Sequence, residues 1–164
     1  MSRLPDKFFR AFFRVAYVLM RVFCFVFRPR TRGVCVAVRY EDKVLIIKNS
    51  YYHKHSLPGG YVKRGERSRL AAARELKEEV GLNVRPEQLI LEWQGLMQIE
   101  FKREIMTFFD LKLTNPPLVK IDNREVVWAE FVPLKQALAL DLSSFCRKCL
   151  KLIDLGNCEI NTSK

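Results

Sequence analysis

The sequence has few of the features that mark disulfide-stabilised, zinc-binding or repetitive proteins. Five cysteines in 164 residues are too few to indicate a disulfide framework. Cys146 and Cys149 have the Cys-x-x-Cys spacing, but the sequence has no second pair that would complete a zinc site. Internal repeats and low-complexity tracts are also absent. We therefore expect a globular protein with free thiols in a reducing compartment, the cytoplasm.

Acidic residues are scarce as well, since 18 Asp and Glu stand against 29 Lys and Arg, a formal net charge of +11. Residues 1–32 hold eight basic residues and one acidic residue, a net +7, which leaves +4 for the rest of the chain. A charge concentrated in one terminal segment does not indicate specific nucleic-acid binding. A mildly basic remainder is better explained by a phosphate-containing small-molecule substrate.

The hydrophobic content of 49% and the charged content of 29% are typical of a globular domain. Segments with the pattern of strands alternate with segments that have the pattern of helices, which predicts an α/β fold with a central mixed sheet and helices on both sides. The predicted strands are residues 31–40, 43–49, 57–62, 88–97, 104–114 and 126–133, and the predicted helices are residues 68–80, 134–140 and 141–155. We divide the chain into an N-terminal amphipathic helix (1–30), a catalytic domain (31–156) and a C-terminal tail (157–164).

The first helix of the catalytic domain concentrates carboxylates on one side. Strong helix formers fill it, Ser68 is a plausible N-cap, and Gly81 is expected to end it. At about 100° per residue, Glu75, Glu78 and Glu79 share one face, and apolar residues share the other. Like charges at this spacing destabilise a helix, whereas a bound divalent cation would stabilise the cluster.

The same helix lies within a longer motif that spans 23 residues. It reads Gly60-x5-Glu66-x7-Arg74-Glu75-Leu76-x-Glu78-Glu79-x-Gly81-Leu82. Every fixed position matches the Nudix box, and the chain resembles the Nudix hydrolases. The resemblance implies an α/β/α sandwich and a metal-assisted attack of water on a diphosphate linkage.

The resemblance also implies roles for individual residues. Glu75, Glu78 and Glu79 would ligate Mg²⁺, or Mn²⁺ in its place, and Glu78 and Glu79 would take part in catalysis together with Arg74. Glu125, before the last predicted strand, is either a further metal ligand or an ordinary surface charge. The remaining members of the predicted site are Gly59 and Gly60, which would approach the substrate, and Glu66 and Gly81, which would support the motif, Glu66 by pairing with Arg74.

The residues are compatible with three classes of function. The first is hydrolysis of a nucleoside diphosphate derivative, such as a nucleotide or a nucleotide sugar. The second is hydrolysis of a lipid-linked diphosphate at a membrane surface. The third is a binding module on a Nudix scaffold without catalysis, which the intact set of glutamates disfavours.

The N-terminal segment is the other distinctive region. Residues 8–27 are mostly apolar and long enough as a helix to cross a bilayer, but arginines interrupt them. On a helix, the basic residues fall in one narrow stripe beside a wide apolar face, which is typical of a helix in a membrane interface. The stripe contains Arg3, Lys7, Arg10, Arg14, Arg21 and Arg28. We expect residues 3–28 to bind an anionic membrane surface on its cytoplasmic, inner face. The alternatives are that this helix packs on its own domain, that it packs on a second copy in a homo-oligomer, or that it spans the membrane.

Overall fold

The computed structural model describes residues 4–99 and 101–161 and has four α-helices and seven strands in that part of the chain. In chain order they are α1 (Leu4–Phe27), β1 (Arg30–Tyr40), β2 (Lys43–Asn49), β3 (His55–Ser56), β4 (Gly59–Tyr61), α2 (Ser68–Val80), β5 (Ile90–Ile99), β6 (Lys102–Leu113), β7 (Val126–Pro133), α3 (Leu134–Ala139) and α4 (Ser144–Asn161). The predicted strand and helix bounds differ from these by two residues or fewer, apart from the third strand, the last helix and the N-terminal helix, which ends three residues earlier than predicted. The last helix begins three residues later than predicted and continues into the predicted tail.

The strands form one mixed sheet in the order β3-β2-β1-β6-β5. β1 and β6 are parallel along their whole length, from Arg30 beside Arg103 to Tyr40 beside Leu113, and the other pairs are antiparallel. The two strands outside this order also belong to the sheet, because β4 pairs with β1 and β7 pairs with β2. The predicted central mixed sheet is therefore confirmed.

Two hydrophobic cores lie on opposite faces of this sheet. Alternate residues of β1 point to opposite sides, so Val34 and Val36 pack with α2, whereas Cys35 and Ala37 pack with α4. β2 divides its side chains between the two cores in the same way. This double burial explains why both strands are almost continuously apolar, and it confirms the predicted arrangement of helices on both sides.

The structure differs from the sequence-based expectation at the third strand and at the start of α2. The predicted strand 57–62 is divided because β3 pairs with β2, whereas β4 pairs with β1. Leu57 and Pro58 lie between them, and proline has no N–H to donate to a ladder. The expected N-cap was wrong: Arg67 occupies that position, and Ser68 Oγ accepts a hydrogen bond from Arg32 Nη2 at 3.1 Å.

Helix α1 packs on the catalytic domain along one face. The rings of Phe13 and Tyr17 lie against Tyr51, with centroids 6.2 and 5.2 Å away. Arg10 Nε donates to the backbone oxygen of Asn123 at 2.9 Å. An ion pair between Asp6 and Arg124, and the burial of Cys24, fix the two ends of the same face. Packing on its own domain, one of the alternatives for this segment, is therefore what the structure shows.

The opposite face of α1 is exposed and strongly apolar. The predicted basic stripe lies between the two faces. Two of its residues bond to the catalytic domain, because Arg14 Nε donates to the backbone oxygen of Ser50 at 3.2 Å and Arg10 Nε donates to that of Asn123. Arg3, also assigned to the stripe, lies outside the described residues, as do residues 162–164 of the predicted tail. No helix in the described part of the chain has the length and apolarity needed to cross a membrane.

Candidate active site

Helix α2 brings the predicted site residues together at one edge of the sheet. Its inner apolar residues, Ala71, Ala72, Leu76 and Val80, are fully buried, and its C-terminus is closed by Gly81, which has φ 71° and donates its N–H to the backbone oxygen of Lys77. Gly81 therefore has the structural role expected of it. Because the helix lies flat on the sheet, its carboxylates point along the edge where β4 begins.

Arg74 holds three of the predicted glutamates. Its Nε and Nη2 donate to the two carboxylate oxygens of Glu66, both at 3.0 Å. Its Nη1 donates to Glu75 Oε1 at 2.7 Å and to Glu78 Oε2 at 3.1 Å. The structure thus makes the predicted contact between Glu66 and Arg74, and it shows how the guanidinium fixes the orientation of the α2 carboxylates.

Glu79 and Glu75 each contact one glycine of β4. The N–H of Gly59 donates to Glu79 Oε2 at 2.8 Å, and the Glu79 side chain is almost completely buried. The carboxylate of Glu75 packs directly on the Cα of Gly60, so closely that a Cβ there would lie 2.5 Å from Glu75 Oε1. Gly60 therefore makes room for the Glu75 carboxylate, and Gly59 supplies an N–H to Glu79, roles that sequence reasoning did not assign to them.

Glu125 reaches the same cluster from the loop before β7. Its Oε1 accepts a hydrogen bond from the hydroxyl of Tyr51 at 3.0 Å, and that hydroxyl accepts one from Asn49 Nδ2 at 2.9 Å. The side chain of Asp122 accepts from the backbone N–H of Glu125 at 3.2 Å and positions the turn. Glu125 is therefore half-buried within the carboxylate group and not a free charge at a strand end.

Burial and mutual repulsion disfavour the negative charges of the clustered glutamates. Burial raises the pKa of Glu79 well above its ordinary value, and the charges of Glu75, Glu125 and Glu78 raise it further. Burial also raises the pKa of Glu75 and of Glu125, and the charge of Glu78 adds to both shifts. Arg74 offsets part of this charge through Glu75 and Glu78, but Glu79 and Glu125 make no ion pair in the described part of the chain, so the cluster as a whole favours a bound cation.

A hard divalent cation fits this set of donors. The four glutamates supply only oxygen atoms, which Mg²⁺ and Mn²⁺ prefer, and burial together with their mutual repulsion raises the pKa of Glu75, Glu79 and Glu125. Glu75 and Glu78 turn towards Arg74, so among the described residues no three acidic, histidine or cysteine groups already surround one point as a metal shell. A change of side-chain rotamer would be enough to turn these carboxylates towards an ion.

The link between Arg74 and Glu66 predicts a pH effect. Hydrogen bonds from Arg74 and from the backbone of Lys63 lower the pKa of Glu66 from 4.5 to about 2. Because the pKa is lowered in the folded state, the stability that it contributes is present above about pH 4.5 and is lost as the pH falls towards about 2. We expect Glu66→Gln to reduce the dependence of the thermal midpoint on pH across that window. The exposed Glu87→Gln is the matched control, and an unchanged pH profile in Glu66→Gln would contradict this assignment.

A cavity of about 490 Å³ opens beside the cluster. Gly59, Gly60 and Glu125 form its polar side. The opposite side is apolar and comes in part from α1, which contributes Phe13, Ala16, Tyr17 and Met20, and in part from α4. The mouth holds an ion pair between Lys102 and Glu104 at 3.1 Å, and Lys102 also donates to the hydroxyl of Tyr61.

Sequence reasoning did not find several of these residues. Asn49 and Tyr51 lie in an aromatic and polar run at the end of the buried strand β2, and that run is the signal that could have indicated them. Lys102 and Glu104 are buried charges on β6, and in the sequence they are part of an ordinary charged run with Arg103. The contribution of α1 to the cavity depends on how that helix docks, so no local pattern reveals it.

The sequence was compared with known families and with curated proteins. A family model described as the NUDIX domain matches residues 29–153, which is most of the chain. The comparison with curated proteins found no match. The matched region begins before β1 and ends within α4, so it contains the whole sheet and the carboxylate cluster.

Solved structures share the fold at low sequence identity. A MutT protein from Methanosarcina mazei Go1 is 24% identical with a TM-score of 0.67, and the alignment covers 80% of this chain and 97% of that chain. An Ap4A hydrolase from C. elegans is 22% identical with a TM-score of 0.65, over 79% of this chain and 98% of that one. A bifunctional NMN adenylyltransferase/ADP ribose pyrophosphatase from Francisella tularensis, complexed with AMP and a Mn ion, is 20% identical with a TM-score of 0.66, over 88% of this chain and 47% of that one. With the family match over residues 29–153 and the same fold in these structures, the chain belongs to the Nudix family of pyrophosphohydrolases.

Proposed function

We propose that this protein hydrolyses a diphosphate linkage in a nucleoside diphosphate derivative, with Mg²⁺ or Mn²⁺ as cofactor. The observation that carries the proposal is a cluster of carboxylates with raised pKa values beside a 490 Å³ cavity, which Glu125 lines together with the glycines that contact Glu75 and Glu79. Buried titratable groups with shifted pKa values in a cleft are typical of catalytic sites. A cavity of this volume is large enough for a nucleotide-sized ligand.

The residues of the cluster have distinct tasks in this proposal. Glu75, Glu78 and Glu79 hold the cation, and Glu125 completes the set from the opposite side. A divalent cation, when bound, neutralises the diphosphate oxygens and makes water a better nucleophile. Arg74 keeps Glu75 and Glu78 in place through the two hydrogen bonds from its Nη1.

Two further hydrogen bonds position the glutamates of the cluster. The N–H of Gly59 positions Glu79, and the hydroxyl of Tyr51 positions Glu125. Burial and the charge of Glu125 raise the pKa of Tyr51, so its hydroxyl stays protonated and remains a donor. Glu78 has the most exposed side chain of the α2 carboxylates, at 55%, so it is the one that solvent reaches most easily. Either Glu78 or Glu79 is placed to take a proton from the attacking water.

The substrate class is supported by the related structures. The names of two of them contain Ap4A and ADP ribose, and one of these structures contains AMP with a Mn ion. Both named compounds are nucleotides with phosphoanhydride linkages. A soluble cytoplasmic substrate also agrees with the buried free thiols, because Cys24, Cys35, Cys146 and Cys149 are all unpaired.

A screen of purified full-length protein tests the proposal. The panel contains nucleoside triphosphates, dinucleoside polyphosphates and nucleotide sugars, each with Mg²⁺ or Mn²⁺, and Glu79→Gln is the blank. We expect release of phosphate, or of a nucleoside monophosphate, from at least one nucleotide, and reaction in ¹⁸O-labelled water identifies the attacked phosphorus. If no compound is turned over above the blank with either metal, the proposal is wrong, and a lipid-linked diphosphate or a binding module without catalysis takes its place.

A second candidate is a lipid-linked diphosphate, and the apolar side of the cavity favours it. The wall built from Phe13, Ala16 and Met20 could also cover an isoprenoid or acyl chain. The variant Ala16→Phe would fill the apolar side without touching the carboxylates. If the substrate is a lipid diphosphate, this variant should lose turnover of a prenyl diphosphate at least tenfold and keep its thermal midpoint. Unchanged turnover of that compound, or none in the parent protein, would exclude the second candidate.

A further inference from the structure

The exposed face of α1 carries about half of the exposed large apolar side chains in the described part of the chain. It runs along the helix through side chains that are each more than half exposed: Phe8, Phe12, Val15, Val18, Leu19, Val22, Phe23, Phe25, Val26 and Phe27. Soluble monomers rarely expose a continuous apolar patch of this extent. The catalytic domain covers the docked side of α1. It leaves the outer face exposed, so that face needs another partner to cover it.

A cationic recess lies at the C-terminal end of the same helix. Its volume is about 290 Å³, and its lining consists of Arg28, Arg30, Gln98, Phe101, Lys102 and Arg103. Arg30 and Arg103 are register partners on the parallel strands β1 and β6. Like charges on paired strand positions destabilise a sheet, and no acidic side chain is found among the described residues that line the recess. Lys102 is compensated by Glu104 behind it, so the excess charge is that of Arg28, Arg30 and Arg103. This local excess of positive charge is suited to an anion.

The recess and the apolar face are adjacent. Arg28 follows the last residue of α1 directly, and the ring of Phe101 packs edge-on against Phe25, with centroids 5.2 Å apart. Phe101 is exposed as well, so apolar and cationic surfaces meet at this end of the helix. Interfacial lipid chemistry combines the same two components, an acyl region and a layer of phosphate headgroups.

We propose that α1 binds the surface of an anionic lipid bilayer, with its outer face at the level of the upper acyl chains and the recess of Arg28, Arg30 and Arg103 in contact with headgroup phosphates. The occupant is a lipid surface and not a second copy of the chain. Pairing two copies through this face would bring together two N-terminal segments that each carry a net +7. Anionic lipid, in contrast, complements both the apolar face and its charge.

The orientation that follows differs from the one expected from sequence. The cations that face the bilayer are those at the C-terminal end of the helix and the exposed Lys7 and Arg21, because Arg10 and Arg14 bond to the catalytic domain. Since the docked side of α1 also lines the site cavity, the bilayer would lie directly over one wall of that cavity.

Flotation of the full-length protein with vesicles tests the apolar part of the proposal. We expect binding to vesicles of equal parts phosphatidylcholine and phosphatidylglycerol, and little binding to phosphatidylcholine alone. The double variant Leu19→Glu and Val26→Glu changes only exposed side chains, 63% and 62% accessible, and should lose binding at least tenfold. The control is Leu118→Glu, whose side chain is 73% exposed in a loop away from α1 and should bind as the parent does.

Charge variants test the cationic part. Arg30→Gln with Arg103→Gln should weaken partition to the anionic vesicles about 30-fold, which corresponds to about 1 kcal/mol for each basic residue near such a surface. Lys135→Gln with Lys151→Gln removes the same charge elsewhere and should change binding less than about threefold. Without vesicles, the arginine double variant should keep the thermal midpoint of the parent or exceed it, because it removes a like-charge pair.

None of these measurements depends on hydrolytic activity, so failure of this proposal can be distinguished from failure of the proposed function. Equal binding to neutral and anionic vesicles, or no binding to either, would overturn the proposal. Inorganic phosphate that releases the protein more than chloride at equal ionic strength would indicate a soluble anion site. A dimer that forms with increasing concentration in sedimentation, and that Leu19→Glu with Val26→Glu abolishes, would assign the face to a second copy.

Discussion

Replacing Glu79 by glutamine is expected to lower hydrolysis about 1000-fold, because several kcal/mol of metal-based charge stabilisation would be lost and each 1.36 kcal/mol is a factor of ten. The same substitution should stabilise the protein when no divalent metal is added. Glutamine keeps an oxygen that accepts the Gly59 N–H, and it removes a charge that is almost fully buried. About 1 kcal/mol would raise the thermal midpoint by about 2–4 °C in a chain of this length.

The pH dependence of this difference has a defined sign. The pKa of Glu79 is raised in the folded state, so the acid form is the one that the fold favours. The stability linked to its proton is present below the ordinary value of 4.5 and is lost as the pH rises through the higher folded value. The parent and Glu79→Gln should therefore have similar midpoints at acid pH and diverge towards neutral pH, with the variant the more stable.

Divalent metal should reverse the order. A ligand that binds only the folded state stabilises it by mass action, so Mg²⁺ or Mn²⁺ should raise the midpoint of the parent and leave that of Glu79→Gln almost unchanged. The measurement is a set of thermal melts with and without metal, beside the hydrolysis rates, and Glu87→Gln is the control on an exposed glutamate. A parent that is more stable than Glu79→Gln without metal at neutral pH would show that the buried carboxylate is satisfied by the protein itself.

The sheet and the carboxylate helix could be predicted from sequence because both depend on local periodicity. β1 and β2 are buried on both faces, so their apolar runs are continuous and end at the turn of Glu41 and Asp42. Helix α2 has strong helix formers along its length, and a glycine in the left-handed region ends it at the predicted residue. In both cases the neighbouring residues in the chain are enough to determine the element.

The remaining parts of the site depend on contacts between segments that are distant in sequence. Glu125 enters the cluster because β7 pairs with β2 and brings it beside Tyr51, 74 positions earlier in the chain. The direction of α1 is likewise determined by the loop carbonyls that receive Arg10 and Arg14, and these carbonyls are in place only after the sheet has formed. A helical wheel shows two faces of α1 that could pack on another surface. Only the tertiary structure shows which of them packs on the catalytic domain.

The two glycines of β4 should respond differently to alanine, although they are neighbours in the sequence. A Cβ on Gly59 would lie 2.2 Å from the backbone oxygen of Val34 and 2.9 Å from the Cα of Cys35. Both atoms belong to β1, which is bound along its other edge to β6 and cannot move away. With φ at 156°, Gly59 also has a backbone conformation that side chains disfavour. We expect Gly59→Ala to destabilise the protein by about 3 kcal/mol or more, from overpacking and backbone strain together.

At Gly60 the obstacle is the end of a flexible side chain. A Cβ there would lie 2.5 Å from Oε1 of Glu75, and that carboxylate can rotate away without disturbing the strand. Gly60→Ala should therefore keep the thermal midpoint within a few degrees of the parent and lose about 100-fold in hydrolysis, because a displacement of about 1 Å in a catalytic group can have that effect. Melting curves and rates measured on both variants separate the two roles. If Gly60→Ala unfolds as readily as Gly59→Ala, the Glu75 carboxylate cannot rotate away as described. If the variant folds and retains full activity, Glu75 does not need the position that the structure gives it, and its place among the metal ligands would have to be given up.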